Sequence, residues 1–180
     1  MVQHKKLVCI VEDKADLREG MNLMIEMSKE YELGGSYGNA EEALLEIPRI
    51  KPQVVLMDIN LPGASGIACV NALKNQFPQM LFLMCTAYED TDKIFDSLKA
   101  GASGYILKTE GPQKIVEALD DMLAGGSPMS SSIARKVVAS FTKMGKDNAL
   151  VETLSDREKM VLDQLAKGLI GKEVADVLDI

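Results

Sequence analysis

Apolar positions in the first 126 residues follow two alternating periods. Residues 7–11, 54–57, 80–85 and 104–107 are short, almost continuous apolar runs, and 31–37 is a weaker one. Between them apolar residues recur at helical spacing. Leu17, Met21, Met24, Ile25 and Ser28 share one face, and Ala43, Leu44 and Ile47 share a second, opened by the N-cap candidate Asn39. Ile67, Val70, Leu73 and Phe77 form a third, Ile94, Phe95 and Leu98 a fourth. Ile115, Val116, Leu119, Met122 and Leu123 form a fifth, with Pro112 near its first helical position. The methionines of the first helix, Met21, Met24 and Met27, are expected to fill core space.

Strand followed by helix, five times over, predicts an α/β domain: a five-stranded parallel sheet, doubly wound by helices on both faces. Near-continuous apolar strands agree, because strands covered on both faces have no polar side. Right-handed crossovers leave few topologies, and the flavodoxin-like order 2-1-3-4-5 is the common five-stranded one. It makes strands 1 and 3 neighbours and places a ligand site beyond their carboxyl ends.

The pattern changes after residue 126. Gly125-Gly126-Ser127-Pro128 breaks the fifth helix, and residues 130–143 carry Ile133, Val137, Val138 and Phe141 on one side of an expected linker helix. Residues 127–150 are expected to be a partly helical linker. Residues 151–180 begin with a capping box, Ser155-Asp156-Arg157-Glu158, and predict a short all-α fragment with helices at about 154–167 and 172–178.

Composition narrows the function. The 180 residues carry 27 acids against 20 bases, a net charge of −7, which disfavours a protein that coats nucleic acid. No apolar run reaches membrane-span length, and no secretory leader pattern opens the chain, so a cytoplasmic protein is expected. Cys9, Cys69 and Cys85 lie inside apolar runs without metal-ligand spacing and read as reduced core residues. The single histidine, His4, excludes a His-based metal site or triad.

Strand 1 ends in Glu12-Asp13 and strand 3 in Asp58. If the strands are adjacent, three carboxyl groups converge at one rim. Crowded like charges repel and lose hydration. A divalent cation resolves both costs, and an all-oxygen ligand set suits Mg2+ rather than zinc. The Asn60 backbone carbonyl is a further candidate ligand. Beside such an ion a carboxylate can attack a phosphoryl group and form an aspartyl-phosphate. The ends of strands 4 and 5 add a hydroxyl, Thr86, and an ammonium, Lys108. Alone, an aspartate at a strand end is most simply a loop residue or a helix cap. Four such pieces, in order and each at a strand end, point to chemistry.

Those pieces are Cys9-Ile10-Val11-Glu12-Asp13, Leu56-Met57-Asp58-Ile59-Asn60-Leu61-Pro62-Gly63, Cys85-Thr86-Ala87 and Gly101-Ala102-Ser103-Gly104-Tyr105-Ile106-Leu107-Lys108. Residues 1–126 resemble the CheY-like receiver domain of two-component response regulators. The resemblance implies that Asp58 is the phosphoryl acceptor. It implies that Glu12, Asp13, Asp58 and Asn60 hold Mg2+ and that Lys108 pairs with phosphoryl oxygens. It makes Thr86 a hydroxyl switch and Tyr105 an aromatic switch that turns inward on activation, with Asn60 and Tyr88 tuning dephosphorylation. A sensor histidine kinase is the implied partner, and helix 4, strand 5 and helix 5 the implied homodimer face. Thr109 stands where many members have proline, which leaves the peptide after Lys108 open to cis or trans.

Leu154-Ser155-Asp156-Arg157-Glu158, Ala166-Lys167-Gly168-Leu169 and Lys172-Glu173-Val174-Ala175 resemble the start of a LuxR-type helix-turn-helix. With the receiver, this is similar to a NarL/FixJ-type transcription regulator. The DNA-reading helix would come next, so these 180 residues are expected to bind DNA weakly, and DNA becomes a partner when that helix is restored. Two other classes stay in view. An aspartate-nucleophile phosphatase would want a second acid where Asn60 stands. A phosphorylation-independent interaction module would not need the acidic set. A dinucleotide-binding domain would want a Gly-x-Gly-x-x-Gly after strand 1, and none follows.

Overall fold

The apolar runs become the centre of a parallel sheet because their backbone groups pair while their side chains are covered on both faces. In a computed structural model, residues 5–87, 89–147 and Met160 are described. The elements are β1 (Lys6–Val11), α1 (Ala15–Glu26), β2 (Tyr31–Tyr37), α2 (Ala40–Ile50), β3 (Val54–Met57), α3 (Gly66–Gln76), β4 (Leu81–Thr86), α4 (Thr91–Lys99), β5 (Gly104–Leu107), α5 (Pro112–Leu123) and α6 (Ser131–Asp147). The strand order is β2-β1-β3-β4-β5, and every pairing is parallel.

Val8, Ile10, Val54, Leu56, Leu83 and Ile106 are wholly or almost wholly buried, and Ile25, Ile115 and Leu119 join them from the helices. Cys9, Cys69 and Cys85 are free and buried, as the sequence predicts. Burial pushes each thiol up to about 12, so all three are held as protonated, unreactive thiols. Asn39 caps α2 by accepting from the Glu42 amide at 2.8 Å. A register shift between Val8 and Cys9 leaves Gly34 of β2 out of step, against the side chains of Leu7 and Ile50.

Two sequence expectations need correction. β4 begins at Leu81, not Met80, because the Met80 amide closes a turn onto Phe77. In α1 the apolar stripe is narrower than its sequence suggests. Met21 and Ile25 are buried, but Leu17 is 42% and Met27 84% exposed, so Met27 fills no core. The helix stops at Glu26 and Met27 is its C-cap, beyond the last turn that faces the sheet.

The chain divides into two compact units, residues 1–130 and 131–180. Of the second unit, α6 is described as one helix reaching Asp147, past the expected end at 143. The expected helices at 154–167 and 172–178 lie outside the described residues, Met160 excepted. Among the described residues no helix is long and apolar enough to cross a membrane.

Candidate functional site

The strand register brings distant carboxylates together. Val11 pairs with Met57, Met57 with Met84, and Met84 with Tyr105. One residue further along each of the first two strands stand Glu12 and Asp58, and Asp13 follows Glu12. Backbone bonds peg both: Glu12 N donates to Tyr37 O at 3.0 Å, and Asp58 N to Val11 O at 2.9 Å. Thr86 pairs with Leu107, so Lys108 leaves β5 at the same rim.

Ligand oxygens of Glu12, Asp13 and Asp58 lie within 4.8 Å of one another. Glu12 and Asp58 are only 1% and 5% exposed, whereas Asp13 is exposed. The Lys108 ammonium ion-pairs with Glu12 Oε2 and lies 2.9 Å from Asp58 Oδ2. Asp58 Oδ1 accepts from the Ile59 amide at 2.7 Å, and Glu12 Oε1 from the Lys14 amide at 3.3 Å. Burial raises the Glu12 carboxyl above its ordinary value, because desolvation outweighs the pull of Lys108. Burial by itself would lower the Lys108 ammonium, but its bonds to Glu12 and Asp58 prevail and raise it.

These donors fit a hard dication. All are oxygens, and Glu12 Oε2 is buried with no hydrogen-bond partner beyond its ion pair with Lys108. Asn60, two positions past Asp58, is exposed.

The loop after β3 is closed against α3 by local chemistry. Ser65 caps α3 through the Ala68 amide, and the Gly66 amide donates to Ile59 O at 2.9 Å. A Cβ at Gly66 would collide with the Asp58 carbonyl oxygen, so only glycine lets the helix start this close to the acid. Gly63 takes φ +77° at the loop's bend.

Thr86, the last residue of β4, and Tyr105, the second of β5, are fully buried. Burial is the largest cause that raises the Tyr105 phenol, and Asp90, Asp58 and Glu89 add to it. The edge of β5 is covered by the segment after α5: Tyr105 N donates to Pro128 O at 2.9 Å, and Ser130 N to Tyr105 O at 3.1 Å. Leu107 N donates to Ser130 Oγ at 3.1 Å, directly before Lys108. The peptide after Lys108 is trans, since no cis bond occurs among the described residues. Lys108–Glu110 forms a short 3-10 turn there. Tyr88 lies outside the described residues.

Three contributors are missed by the sequence reading. Arg18, on α1, donates to the carbonyls of Glu12 and Asp13 at 2.5 and 3.3 Å and so fixes the turn that carries the acids. Lys93, on α4, donates to Asn60 Oδ1 at 2.9 Å. Ser130 pins the strand that ends in Lys108. A basic residue one turn into the helix after an acidic pair is the only cue the sequence holds for Arg18; nothing marks the others.

Residues 8–120 match the family model of the response regulator receiver domain. The transcriptional regulatory protein MctR of Rhizobium johnstonii is 31% identical over the full length of this chain and 82% of its own. The DNA-binding transcriptional activator DevR/DosR of Mycobacterium tuberculosis is 28% identical, over 94% of this chain and 78% of its own length. Among solved structures, a two-component response regulator of the LuxR family from Aurantimonas sp. superposes with a TM-score of 0.72 at 28% identity. That match covers 77% of this chain and 99% of that one.

Proposed function

We propose a function for a chain that belongs to the response regulator receiver family: Asp58 accepts a phosphoryl group from a sensor histidine kinase or a small phosphodonor. A carboxylate oxygen of Asp58 forms the new bond to phosphorus while the bond from phosphorus to the donor atom breaks. The electron pair of that bond leaves with the donor, an imidazole or an acyl phosphate's acetate. The observation that carries this reading is Lys108. Its ammonium, delivered by the far strand, sits 2.9 Å from Asp58 Oδ2 and also pairs with Glu12. A cation there offsets charge that builds on phosphoryl oxygens.

Glu12, Asp13, Asp58 and the Asn60 carbonyl would hold Mg2+, which supplies neutralising charge to those oxygens when bound. Thr86 and Tyr105 act as the switch. The added charge of about −1.5 to −2 draws Thr86 and Lys108 toward Asp58, and the buried Tyr105 is the partner state of that movement. The surface of α4, β5 and α5 then changes and serves as a homodimer face. Because Asn60 offers no acid to protonate a leaving group, the chain is a phosphoacceptor and at most slowly sheds its own phosphoryl group.

Residues 1–126 are the receiver, 127–150 a linker and 151–180 the opening of a LuxR-type helix-turn-helix. Control of transcription is the output, in keeping with the names of MctR and DevR/DosR. A cytoplasmic setting suits reduced thiols.

The test is labelling with acetyl phosphate and Mg2+, read by intact mass. The chain gains a single phosphoryl mass, and Asp58→Asn gains none. A fully labelled Asp58→Asn protein overturns the assignment.

A further inference from the structure

Lys93 is the third residue of α4. Its amide is capped by Asp90 Oδ1 at 3.2 Å, and its carbonyl takes the Ser97 hydroxyl at 2.7 Å, so its backbone is fixed at both ends. Its side chain reaches the loop that follows β3. The ammonium donates to Asn60 Oδ1 at 2.9 Å across a separation of 33 residues. Asn60 stands two positions past Asp58. As a stabilising contact this bond is minor, since exposed polar pairs of this kind contribute little. Its interest is what it brings to the site: a second ammonium beside the loop that carries Asp58.

The charges explain why a second ammonium matters. In their ionised forms Glu12, Asp13 and Asp58 set three negative charges against the one ammonium of Lys108. A phosphodonor approaches that rim as an anion and is repelled unless the local field is offset. We infer that Lys93 is a phosphoryl-contacting cation of this site. It draws the anionic phosphoryl group of the donor toward Asp58, then gives up Asn60 Oδ1 for a phosphoryl oxygen once the new bond is made. The inference rests on the reading of Asp58 as the acceptor. The side-chain type suits this role, since lysine is a compact charge on a flexible stem with rotatable donors, able to change acceptors without moving its helix. Asn60 Oδ1 is a neutral acceptor, so a phosphoryl oxygen competes well against it, because charge-assisted bonds are the stronger. Three acids precede Lys93 in the chain, Glu89, the N-cap Asp90 and Asp92 in the first turn of α4, and its bond to Asn60 Oδ1 forms in their presence.

The experiment compares the 180-residue chain with Lys93→Met and Lys93→Arg. Initial rates of labelling by acetyl phosphate with Mg2+ are measured over a series of salt concentrations. Lys93→Met labels at the same residue but about three- to tenfold slower, and its rate depends less on salt, as expected for loss of a steering charge. Lys93→Arg keeps most of the rate and the salt dependence. A second readout needs neither metal nor phosphodonor: the Asn60 side-chain amide resonances shift in Lys93→Met and stay near their original positions in Lys93→Arg. Labelling of Lys93→Met at the original rate and with the original salt dependence overturns the inference, as does equal slowing in both variants, which would make charge irrelevant. If the unsubstituted chain takes no label at all, the acceptor reading of Asp58 fails first, and that outcome is distinct from the other two.

Discussion

The two rims of the sheet handle charge in opposite ways. At the amino-terminal rim, where β1 and β2 begin, signs are interleaved and each polar group has its own partner. Lys5 Nζ donates to Ser28 O at 2.9 Å, Lys6 N to Glu30 O at 2.7 Å, and the Tyr31 hydroxyl to Asp120 Oδ1. Leu7 N finds Gln53 Oε1 at 2.6 Å. Lys5, Lys6, Glu30 and Asp120 all remain exposed, so water shares the work. At the carboxyl-terminal rim, Glu12 and Asp58 are 1% and 5% exposed, carry the same sign and share one ammonium. Burying like charges side by side lowers stability. A fold under no demand but stability would arrange its carboxyl rim like its amino rim. The departure marks the carboxyl rim as the place where this chain does its chemistry.

Removing the shared cation is the strongest way to break the contrast. Lys108→Met leaves Glu12 and Asp58 buried without a counter-charge, and we expect a loss of about 3 kcal/mol of stability in metal-free buffer. Urea unfolding measures it, and added Mg2+ should recover part of the loss. A midpoint unchanged from that of the parent chain would mean that the two carboxylates do not depend on Lys108. The next effect concerns the same strand from its other side. Ser130→Ala deprives the buried Leu107 amide of its acceptor, at a cost of about 2 kcal/mol. Faster hydrogen exchange at the Leu107 amide checks it, and unaltered exchange there would remove Ser130 from any part in placing Lys108.

Most of the fold was legible because burial on both faces writes a plain signal. β3 and β5 occupy the residues their apolar runs predict, and β2 does so despite its glycines. The boundaries that slipped were decided by contacts outside the pattern. β4 takes in Thr86 because Leu107 pairs with it, and Met27, expected in the core with the other methionines, lies past the end of α1. The site divides in the same way. Glu12, Asp13, Asp58, Thr86 and Lys108 stand at strand ends, where topology alone tells which residues meet, and Tyr105 lies within the short β5. Arg18, Lys93 and Ser130 reach the rim from helices and a loop. Their partners lie 5 to 33 residues away and follow no period. Such bonds become visible only when side chains are placed in space.

The smallest expected effect sharpens the contrast from the amino rim. Tyr31 is nearly buried, and its hydroxyl donates to Asp120, whose carboxylate reaches solvent. Tyr31→Phe removes one hydrogen bond and leaves behind an acid that water can satisfy, so the cost is about 1 kcal/mol near neutral pH. That is less than for Lys108→Met, because no charge is stranded. The pH dependence has a definite sign. Burial is the largest cause raising the Tyr31 phenol above its ordinary value of 10.0, and the bond to Asp120 adds to it. A raised value in the folded state means that the contribution of Tyr31 is complete below the unfolded value. It is then lost as the pH climbs toward the folded one. The stability gap between the parent chain and Tyr31→Phe should therefore be constant from neutral pH to about 9 and close above about 10, where the unfolded chain gives up its phenolic proton first. Urea unfolding of both proteins across that range decides it. A gap that widens with alkaline pH would show that the phenol ionises more readily in the folded chain, and the amino rim would then hold a strained charge of its own.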